Sequence, residues 1–320
     1  MRREITFACG NYDRTQDLIE GTIKPDGLEL NWLTIPHDEM WLRMLCHREF
    51  DASEMSFASY IIARTAGASL VGIPIFPARA FRHSYIFINA KSGIQEPKDL
   101  IGKRVALKEF QQTAAVWLRG ILRQDYGVAA DEIHWLEWAQ ERSMQLEIPS
   151  RYDVQVLPPK SGADQLLMNG EIDAVFCTSL FPSFVKGHPN IRRLFEDHQA
   201  VERTYFKRTG IFPIMHTVVM REELWRECPW IAPSLFKAFQ EAKQLAYRRV
   251  NDLSPYKVSM AWFREPLREQ QDILGDDPWS YGLAANRKVV ETLIDYVYEQ
   301  GFTAKKLHVE ELFAPNTLAL

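Results

Sequence analysis

Residues 51–76 read DASEMSFASYIIARTAGASLVGIPIF. We predict a β-strand at residues 51–55, and Ser56 is placed to cap a helix that we predict to run to Ala66. Leu70–Phe76 is an apolar run of the kind found in buried strands. A strand, a helix and a second strand in this order are the building block of a mainly parallel α/β sheet.

The same alternation of strand and helix signals continues on both sides of this stretch. On the N-terminal side, Ile5–Cys9 and Leu28–Ile35 are strand-like, and Asp13 is placed to cap a short helix between them. On the C-terminal side, further strand signals alternate with helical segments at Tyr85–Asn89, Arg104–Leu107, 133–137, 154–157 and 171–176. We therefore predict an α/β fold.

The length of 320 residues favours two domains of roughly 150 residues each. Ile211–Met220 has the apolar character of a strand that returns the chain to its first part, and the remainder is mostly helical. We predict a discontinuous lobe 1, residues 1–90 plus 215–320, and a lobe 2, residues 91–214. The two crossings would form a hinge, and we expect a ligand cleft there because pockets favour domain interfaces.

The charge balance and the apolar runs exclude several classes of partner. Lysine and arginine number 38 against 42 acidic residues, a formal net charge of −4, which disfavours a nucleic-acid-binding protein. No apolar run approaches the ~18 residues of a membrane span, and Ile5–Cys9 is too short for an export signal. We therefore expect a cytoplasmic protein with neither nucleic acid nor membrane as its partner.

Sequence motifs for the common cofactors are absent. The chain contains no GxGxxG, GxxxxGK[ST], HExxH or GxSxG, and its four cysteines form no CxxC pair. Its eight histidines show no spacing typical of metal ligands. We therefore expect no cofactor and no metal, and we interpret the cysteines as reduced thiols.

The densest group of reactive side chains lies in FPARAFRHS, residues 76–84, between two predicted strands. Arg79 and Arg82 are suited to bidentate hydrogen bonding with carboxylates, and His83 is a candidate to donate or accept a proton near neutral pH. Ser84, the last residue of this segment, is a further candidate for substrate binding. The alternative is that Arg82 pairs with a structural acid and His83 makes an ordinary hydrogen bond.

Other candidates lie at strand ends and helix starts. Glu54 and Ser56 occupy a strand-to-helix turn, where Glu54 is a candidate acid or base and Ser56 a candidate ligand of a carboxylate. A simple helix cap accounts fully for Ser56, a capping or ion-pair role is the alternative for Glu54, and the sequence favours a hydrogen-bonded core histidine for His216. Further candidates for substrate binding are Arg14, Gln111, Thr113, Thr178 and His216.

Several segments together resemble the 4,5-dihydroxyphthalate decarboxylase family. They are ACGNYDRT (8–15), DASEMS (51–56), IPIFPARAFRHS (73–84) and TAAVWLRG (113–120), and the similarity covers most of the chain in order. GEIDAV (170–175) also suits the wider type II periplasmic-binding-protein fold. The resemblance implies that fold, with two lobes, and a small anionic aromatic substrate.

The resemblance further implies a carboxy-lyase of aromatic catabolism. We expect it to remove CO2 from a hydroxylated aromatic dicarboxylate such as 4,5-dihydroxyphthalate and to give protocatechuate. On this hypothesis His83 donates the proton, Glu54 acts as base or orienting partner, and the arginines Arg82, Arg79 and Arg14 hold carboxylates. A divalent metal that grips the two hydroxyls is conceivable chemically, although no spacing in the sequence supports it.

Two other classes of function remain open at this point. One is a solute-binding receptor for a small aromatic or carboxylate ligand, and the other is a different cytosolic enzyme on the same fold. Tyr296 and Tyr298, in the helical C-terminal part, could contribute to a homo-oligomer surface, although core packing explains them equally well.

Overall fold

The computed structural model describes residues 2–139, 146–158, 162–254 and 258–320. The chain divides into two compact units. Unit 1 comprises Met1–Arg79, Ile214–Glu291 and Leu307–Leu320, and unit 2 comprises Ala80–Pro213 and Thr292–Lys306. Residues 80–90 and 292–306, which the sequence analysis placed in lobe 1, belong to unit 2 in this division.

Strands and helices alternate through most of the chain, as the sequence predicts. In chain order the strands are β1 (Arg3–Ala8), β2 (Leu28–Leu33), β3 (Ala52–Ser56), β4 (Leu70–Ile73), β5 (Ile86–Asn89), β6 (Arg104–Leu107), β7 (His134–Glu137), β8 (Val154–Val156), β9 (Ala174–Phe176), β10 (Ile191–Arg193) and β11 (His216–Arg221). The helices are α1 (Gln16–Ile19), α2 (His37–Leu42), α3 (Phe57–Thr65), α4 (Thr113–Tyr126), α5 (Ala163–Asn169), α6 (Pro182–Val185), α7 (His198–Thr209), α8 (Glu222–Glu227), α9 (Ile231–Asn251), α10 (Arg264–Leu274) and α11 (Leu283–Glu299).

The sheet of unit 1 has the strand order β2-β1-β3-β11-β4. Strand β1 runs parallel to β2 and β3, whereas β11 is antiparallel to both of its neighbours, β3 and β4. The C-terminal ends of β1 and β3 therefore lie at the same edge as the beginning of β11, where His216 pairs with Ser56. This edge brings together residues that are far apart in sequence.

The central strands of unit 1 are buried, although three of the five residues of β3 are polar. All five residues of β3 are inaccessible to solvent, including Ser53 and Glu54, and the inner residues of β11 are buried as well. Strands covered on both faces usually read as continuous apolar runs, as Leu70–Phe76 does, whereas β3 is buried with polar residues in it. A carboxylate inside such a strand needs partners within the protein.

Unit 2 has its own sheet with the strand order β10-β5-β9-β6-β7-β8. Strands β6 to β9 pair in parallel, and β5 is antiparallel to both β9 and β10. Helix α4 is buried over its first ten residues and ends at Gly127, whose φ of 67° lies in the left-handed region. Within this helix, an added Cβ at Gly120 would lie 2.2 Å from the Tyr296 ring, so only glycine fits.

No helix in the described parts of the chain combines the length and apolar character that crossing a bilayer requires.

Candidate active site

Glu54 is the centre of a polar cluster at the edge of the unit 1 sheet. Its side chain is fully buried, and both carboxylate oxygens accept hydrogen bonds. The backbone N–H of Gly10 donates to Oε2 at 2.8 Å, and the Tyr12 hydroxyl donates to Oε1 at 2.7 Å. The Cys9 thiol lies 3.3 Å from Oε2 and donates to it. The loop that follows β1 thus holds this carboxylate in one orientation.

His216 approaches Glu54 from the neighbouring strand. Its Nδ1 lies 2.5 Å from Glu54 Oε1, and its side chain is only 15% exposed. In the pairing of β3 with β11, Val218 stands opposite Glu54 and His216 opposite Ser56. His216 therefore reaches Glu54 along the diagonal of the sheet, a distance that long side chains span.

His37 completes the cluster from the start of α2. Its Nε2 lies 3.4 Å from Glu54 Oε2 and 2.9 Å from the Tyr12 hydroxyl. The ring of Trp41 packs beside both imidazoles, with centroid distances of 5.6 Å to His37 and 5.0 Å to His216. The His37 side chain is 37% exposed, so this side of the cluster faces solvent.

The charges in the cluster reinforce one another. Burial raises the pKa of Glu54, but the positive charges of His216 and His37 outweigh it and hold that pKa well below the ordinary value. Burial likewise lowers the pKa of His37, yet the hydrogen bond and charge of Glu54 raise it overall. Burial raises the pKa of the Cys9 thiol and the Tyr12 hydroxyl, which both stay protonated. Glu54 is therefore an ionised carboxylate surrounded by donors.

Arg14 lies beside this cluster within unit 1. Its Nε donates to the carbonyl oxygen of Pro77 at 2.7 Å, and its Nη2 donates to the same oxygen. The guanidinium stacks 4.3 Å from the centroid of the Tyr12 ring and 5.2 Å from that of Trp279. Because Tyr12 also donates to Glu54, the positive charge and the carboxylate are linked through one aromatic ring.

The other two candidates of unit 1 make contacts with protein groups. Arg79 donates through Nη2 to the carbonyl oxygen of Ser280 at 2.8 Å and to Asn286 Oδ1, and burial lowers its pKa to about 10. Ser56 is buried and accepts a hydrogen bond from Ser59 Oγ at 3.1 Å. It occupies the predicted N-cap position of α3, where its side chain makes no capping hydrogen bond.

Arg82 and His83 belong to unit 2 and are both buried. The ring of His83 packs between Phe195 and Tyr205 at centroid distances of 5.4 and 5.2 Å. Neither ring nitrogen of His83 has a hydrogen-bond partner among the described residues. Burial lowers the pKa of His83 to about 4, with a smaller contribution from the charge of Arg208. Burial similarly lowers the pKa of Arg82 to about 10.

The remaining candidates are also in unit 2, in different surroundings. The backbone N–H of Ser84 donates to Glu202 Oε1 at 2.9 Å, and Gln111 Nε2 donates to Glu109 Oε2 at 2.7 Å. Thr113 is buried at the first turn of α4, whereas Thr178 is exposed after β9. The structure thus brings together Glu54, His216 and Arg14. Ser84 and Gln111 instead form hydrogen bonds with Glu202 and Glu109.

We expect the buried state of His83 to make folding sensitive to acid. The unfolded chain takes up this proton near the ordinary pKa of 6.5, but the folded protein does so only near 4. Between these values the unfolded state binds more protons, so stability falls as the pH is lowered through this window. At pH 5 the loss is about 2 kcal/mol, and it should be absent in His83→Leu.

Denaturant unfolding of wild type and His83→Leu at pH 7.5 and pH 5 measures this difference. At pH 7.5 we expect the leucine variant to be at least as stable as wild type, because two unpartnered polar atoms leave the interior. An equal loss of stability in both proteins on acidification would show that His83 is charged or solvated in the folded state.

Sequence reasoning missed two members of the cluster, His37 and Tyr12. Tyr12 lies inside the segment ACGNYDRT, which had carried the resemblance but not a role for this residue. His37 follows Pro36 at a predicted helix start, and nothing local distinguishes it from a surface histidine. Only the strand order reveals these two residues. Tyr12 follows β1 and His37 follows β2, and the C-terminal ends of both strands lie at the sheet edge that Glu54 occupies.

No protein-family model matches the chain. Comparison with curated proteins does give clear relatives. The chain is 36% identical over 321 residues to the 4,5-dihydroxyphthalate decarboxylase of Comamonas testosteroni, covering 98% of this chain and 97% of that protein. The chain belongs to the 4,5-dihydroxyphthalate decarboxylase family. A decarboxylase of the same name from Pseudomonas putida is 32% identical over 209 residues, covering 63% of this chain and 81% of that protein.

Solved structures place this family member in the periplasmic-binding-protein fold, as predicted. The aliphatic sulphonate-binding protein of Escherichia coli matches with a TM-score of 0.56 at 15% identity over the whole of both chains. The desulfurization enzyme DSZB matches with a TM-score of 0.55 at 13% identity, covering 99% of this chain and 98% of that chain. At these identities the likeness establishes the fold alone, which hosts both binding proteins and an enzyme.

Proposed function

We propose that the protein is a carboxy-lyase that removes CO2 from a hydroxylated aromatic dicarboxylate. The substrate we propose is 4,5-dihydroxyphthalate, and the product is protocatechuate. The observation that carries the proposal is the similarity to the Comamonas testosteroni decarboxylase over 98% of this chain. The polar cluster of unit 1 supports the proposal, because it can accept a hydrogen bond from a hydroxyl group on the substrate ring.

The reaction replaces a carboxylate on the ring with a proton. A proton first adds to the ring carbon that bears the departing carboxylate and forms the new C–H bond. The bond from this carbon to the carboxylate then breaks, its electron pair returns to the ring, and CO2 leaves. A hydroxyl group para to the departing carboxylate supplies electron density to this carbon, and it does so more strongly as its own proton is withdrawn.

The cluster around Glu54 is suited to withdrawing that proton. Glu54 is held ionised by its two histidines, and His37 gives the cluster an exposed side. A substrate hydroxyl at this side would donate its proton to the neutral form of His37, which would act as the general base, while the negative charge of Glu54 stabilises the imidazolium that forms. Gly10 and Tyr12 already fix the carboxylate, so little reorganisation is needed at the moment of reaction.

Arg14 is the candidate for binding a substrate carboxylate near this cluster. An arginine that held the departing carboxylate tightly would stabilise the ground state and slow the reaction. We therefore assign Arg14 to the carboxylate that stays on the ring. Its guanidinium is fixed by the Pro77 carbonyl and by stacking on Tyr12, which limits the entropy lost on binding.

The proton that replaces CO2 remains assigned to His83. Its low pKa makes it neutral at pH 7, so it can donate only if an anion raises that pKa on binding. The two unpartnered ring nitrogens support a role of this kind, since a buried polar group without a partner costs stability. His83→Leu is expected to bind the substrate and to lose turnover.

Incubation of the pure protein with 4,5-dihydroxyphthalate, with detection of CO2 and of protocatechuate, tests the proposal. Phthalate is the matched control, because it has the same two carboxylates but no hydroxyl to supply electron density. We expect one CO2 per molecule of 4,5-dihydroxyphthalate and none from phthalate. Tight binding of either compound without any CO2 release, with and without added divalent metal, would favour a solute receptor and contradict the proposal.

A further inference from the structure

We propose that His37, Glu54 and His216 bind one divalent transition-metal ion, and that Zn²⁺ fits the three donors best. The ligand atoms are one imidazole nitrogen from each histidine and a carboxylate oxygen, and all lie within 4.8 Å of one another. They come from α2, β3 and β11, so they lie at the same sheet edge although up to 179 positions separate them, His37 to His216.

The separations are close to those that an ion requires. Zn–N and Zn–O bonds near 2.0–2.1 Å place neighbouring ligands of a tetrahedral ion roughly 3.3 Å apart. His37 Nε2 and Glu54 Oε2 are 3.4 Å apart, whereas His216 Nδ1 and Glu54 Oε1 are at hydrogen-bond distance, 2.5 Å. His37 Nε2 already stands at that separation from the carboxylate, and a shift of about 0.8 Å away from Glu54 Oε1 would bring His216 Nδ1 to it.

The donor types are those of known catalytic metal sites. Two histidines and one carboxylate bind zinc in hydrolases and iron in oxygenases, and in each case they leave positions open for substrate. A single carboxylate does not satisfy calcium, which takes six to eight oxygen ligands. The cluster is therefore expected to select a transition metal against calcium.

The groups around the ligands also fit a metal site. The Gly10 N–H and the Tyr12 hydroxyl fix both oxygens of Glu54, and Trp41 packs against both imidazoles. Bonds of this kind orient metal ligands and raise affinity. Glu54 is fully buried while His37 is partly exposed, which gives the ion a path from solvent.

If the proposed function holds, the metal ion would bind the substrate at the same cluster. Adjacent hydroxyl groups on an aromatic ring bind a transition metal as a pair of oxygen ligands. Binding of this kind would draw the protons from the hydroxyls and orient the ring, which narrows the substrate class to aromatic carboxylates with two neighbouring hydroxyls.

Calorimetric titration of chelator-treated protein with Zn²⁺ tests the site independently of turnover. We expect one Zn²⁺ per chain and no binding of Ca²⁺. His37→Ala and Glu54→Gln should each lower the Zn²⁺ affinity at least about tenfold. His37→Ala is the safer variant, because His37 is partly exposed whereas Glu54 lies inside a strand.

His134→Ala is the matched control. His134 Nδ1 lies 2.6 Å from Asp153 Oδ2 in an exposed pair outside the proposed site, so its removal should leave Zn²⁺ binding unchanged. Absence of stoichiometric Zn²⁺ binding to wild type would overturn the proposal. Equal binding by wild type, His37→Ala and folded Glu54→Gln would do the same.

Assays of CO2 release with chelator and with restored Zn²⁺ or Mn²⁺ separate this proposal from the proposed function. Full release by protein shown to be metal-free would overturn the metal role and leave the decarboxylase function standing. Stoichiometric Zn²⁺ binding that His37→Ala removes, without CO2 release under any condition, would support the site and contradict the function.

Discussion

Replacing Glu54 with glutamine is expected to lower kcat for CO2 release by about 10²–10⁴-fold, the usual contribution of general acid–base catalysis, because His37 loses the carboxylate that stabilises its charged form. Glutamine keeps the size of the side chain and one carbonyl oxygen, but it loses the negative charge on which the cluster depends. His37 and His216 would then lack the carboxylate that lies 3.4 and 2.5 Å from their ring nitrogens. Steady-state kinetics with 4,5-dihydroxyphthalate measures the effect, which should fall on kcat more than on KM.

Asp17→Asn is the control for this substitution. Asp17 is another fully buried carboxylate of unit 1, and it pairs through both oxygens with Arg249 at 2.6 and 2.7 Å. Its amide variant should lower stability and leave kcat close to wild type. A similar loss of kcat in both variants, or full activity in a folded Glu54→Gln, would contradict a chemical role for Glu54.

The second large effect is expected at a buried ion pair of unit 1, where Asp277→Ala should cost about 2–3 kcal/mol of stability. Lys243 is fully buried and donates to both oxygens of Asp277 at 2.6 and 2.8 Å, and Tyr247 donates to the same carboxylate. Removing the acid leaves a buried ammonium that donates to the carbonyl oxygen of Trp279 and lies 4.5 Å from the centroid of the Tyr281 ring, without a negative charge to balance it. The estimate lies below that for a wholly buried pair because the Asp277 side chain is 36% exposed.

Comparing Lys243→Met with Asp277→Ala shows whether the loss of stability comes from an unpaired buried charge or from the lost attraction between the two side chains. Methionine fills a similar volume, and the Asp277 left behind keeps its exposure to water and the Tyr247 hydroxyl. We expect this variant to lose about 1 kcal/mol or less in denaturant unfolding, because the cost comes from an unpaired buried charge. A Lys243→Met variant as unstable as Asp277→Ala would show that the attraction within the pair is itself the main contribution.

The candidate site illustrates where local sequence patterns stop being informative. Glu54 and His216 were both singled out because a polar residue on an apolar strand is visible in the sequence. Their contact was not visible, because it depends on the order β1-β3-β11 and on the register that places His216 opposite Ser56. Metal ligands are recognised in sequence by short spacings, and these ligands come from three separate elements.

Arg79 and His83 show the converse case, in which residues that are close in sequence lie in different parts of the fold. Their segment, FPARAFRHS, groups reactive residues within a few positions, yet Arg79 lies in unit 1 and His83 in unit 2. Arg79 contacts Ser280 and Asn286, about 200 positions further along the chain. Proximity in sequence predicted a cluster, whereas the strands on either side direct these side chains to different surroundings.

Composition and chain order are enough to predict the fold class and the family of this protein. Buried strands alternate with helices in a way that only an α/β sheet explains, and the quoted segments match a named decarboxylase family in order along the chain. Both are properties of local composition and of chain order. The tertiary structure alone decided which residues share the site, because the sheet joins Tyr12, His37, Glu54 and His216 at one edge. Strand order and register are set by packing across the whole of unit 1, and no single segment contains that information.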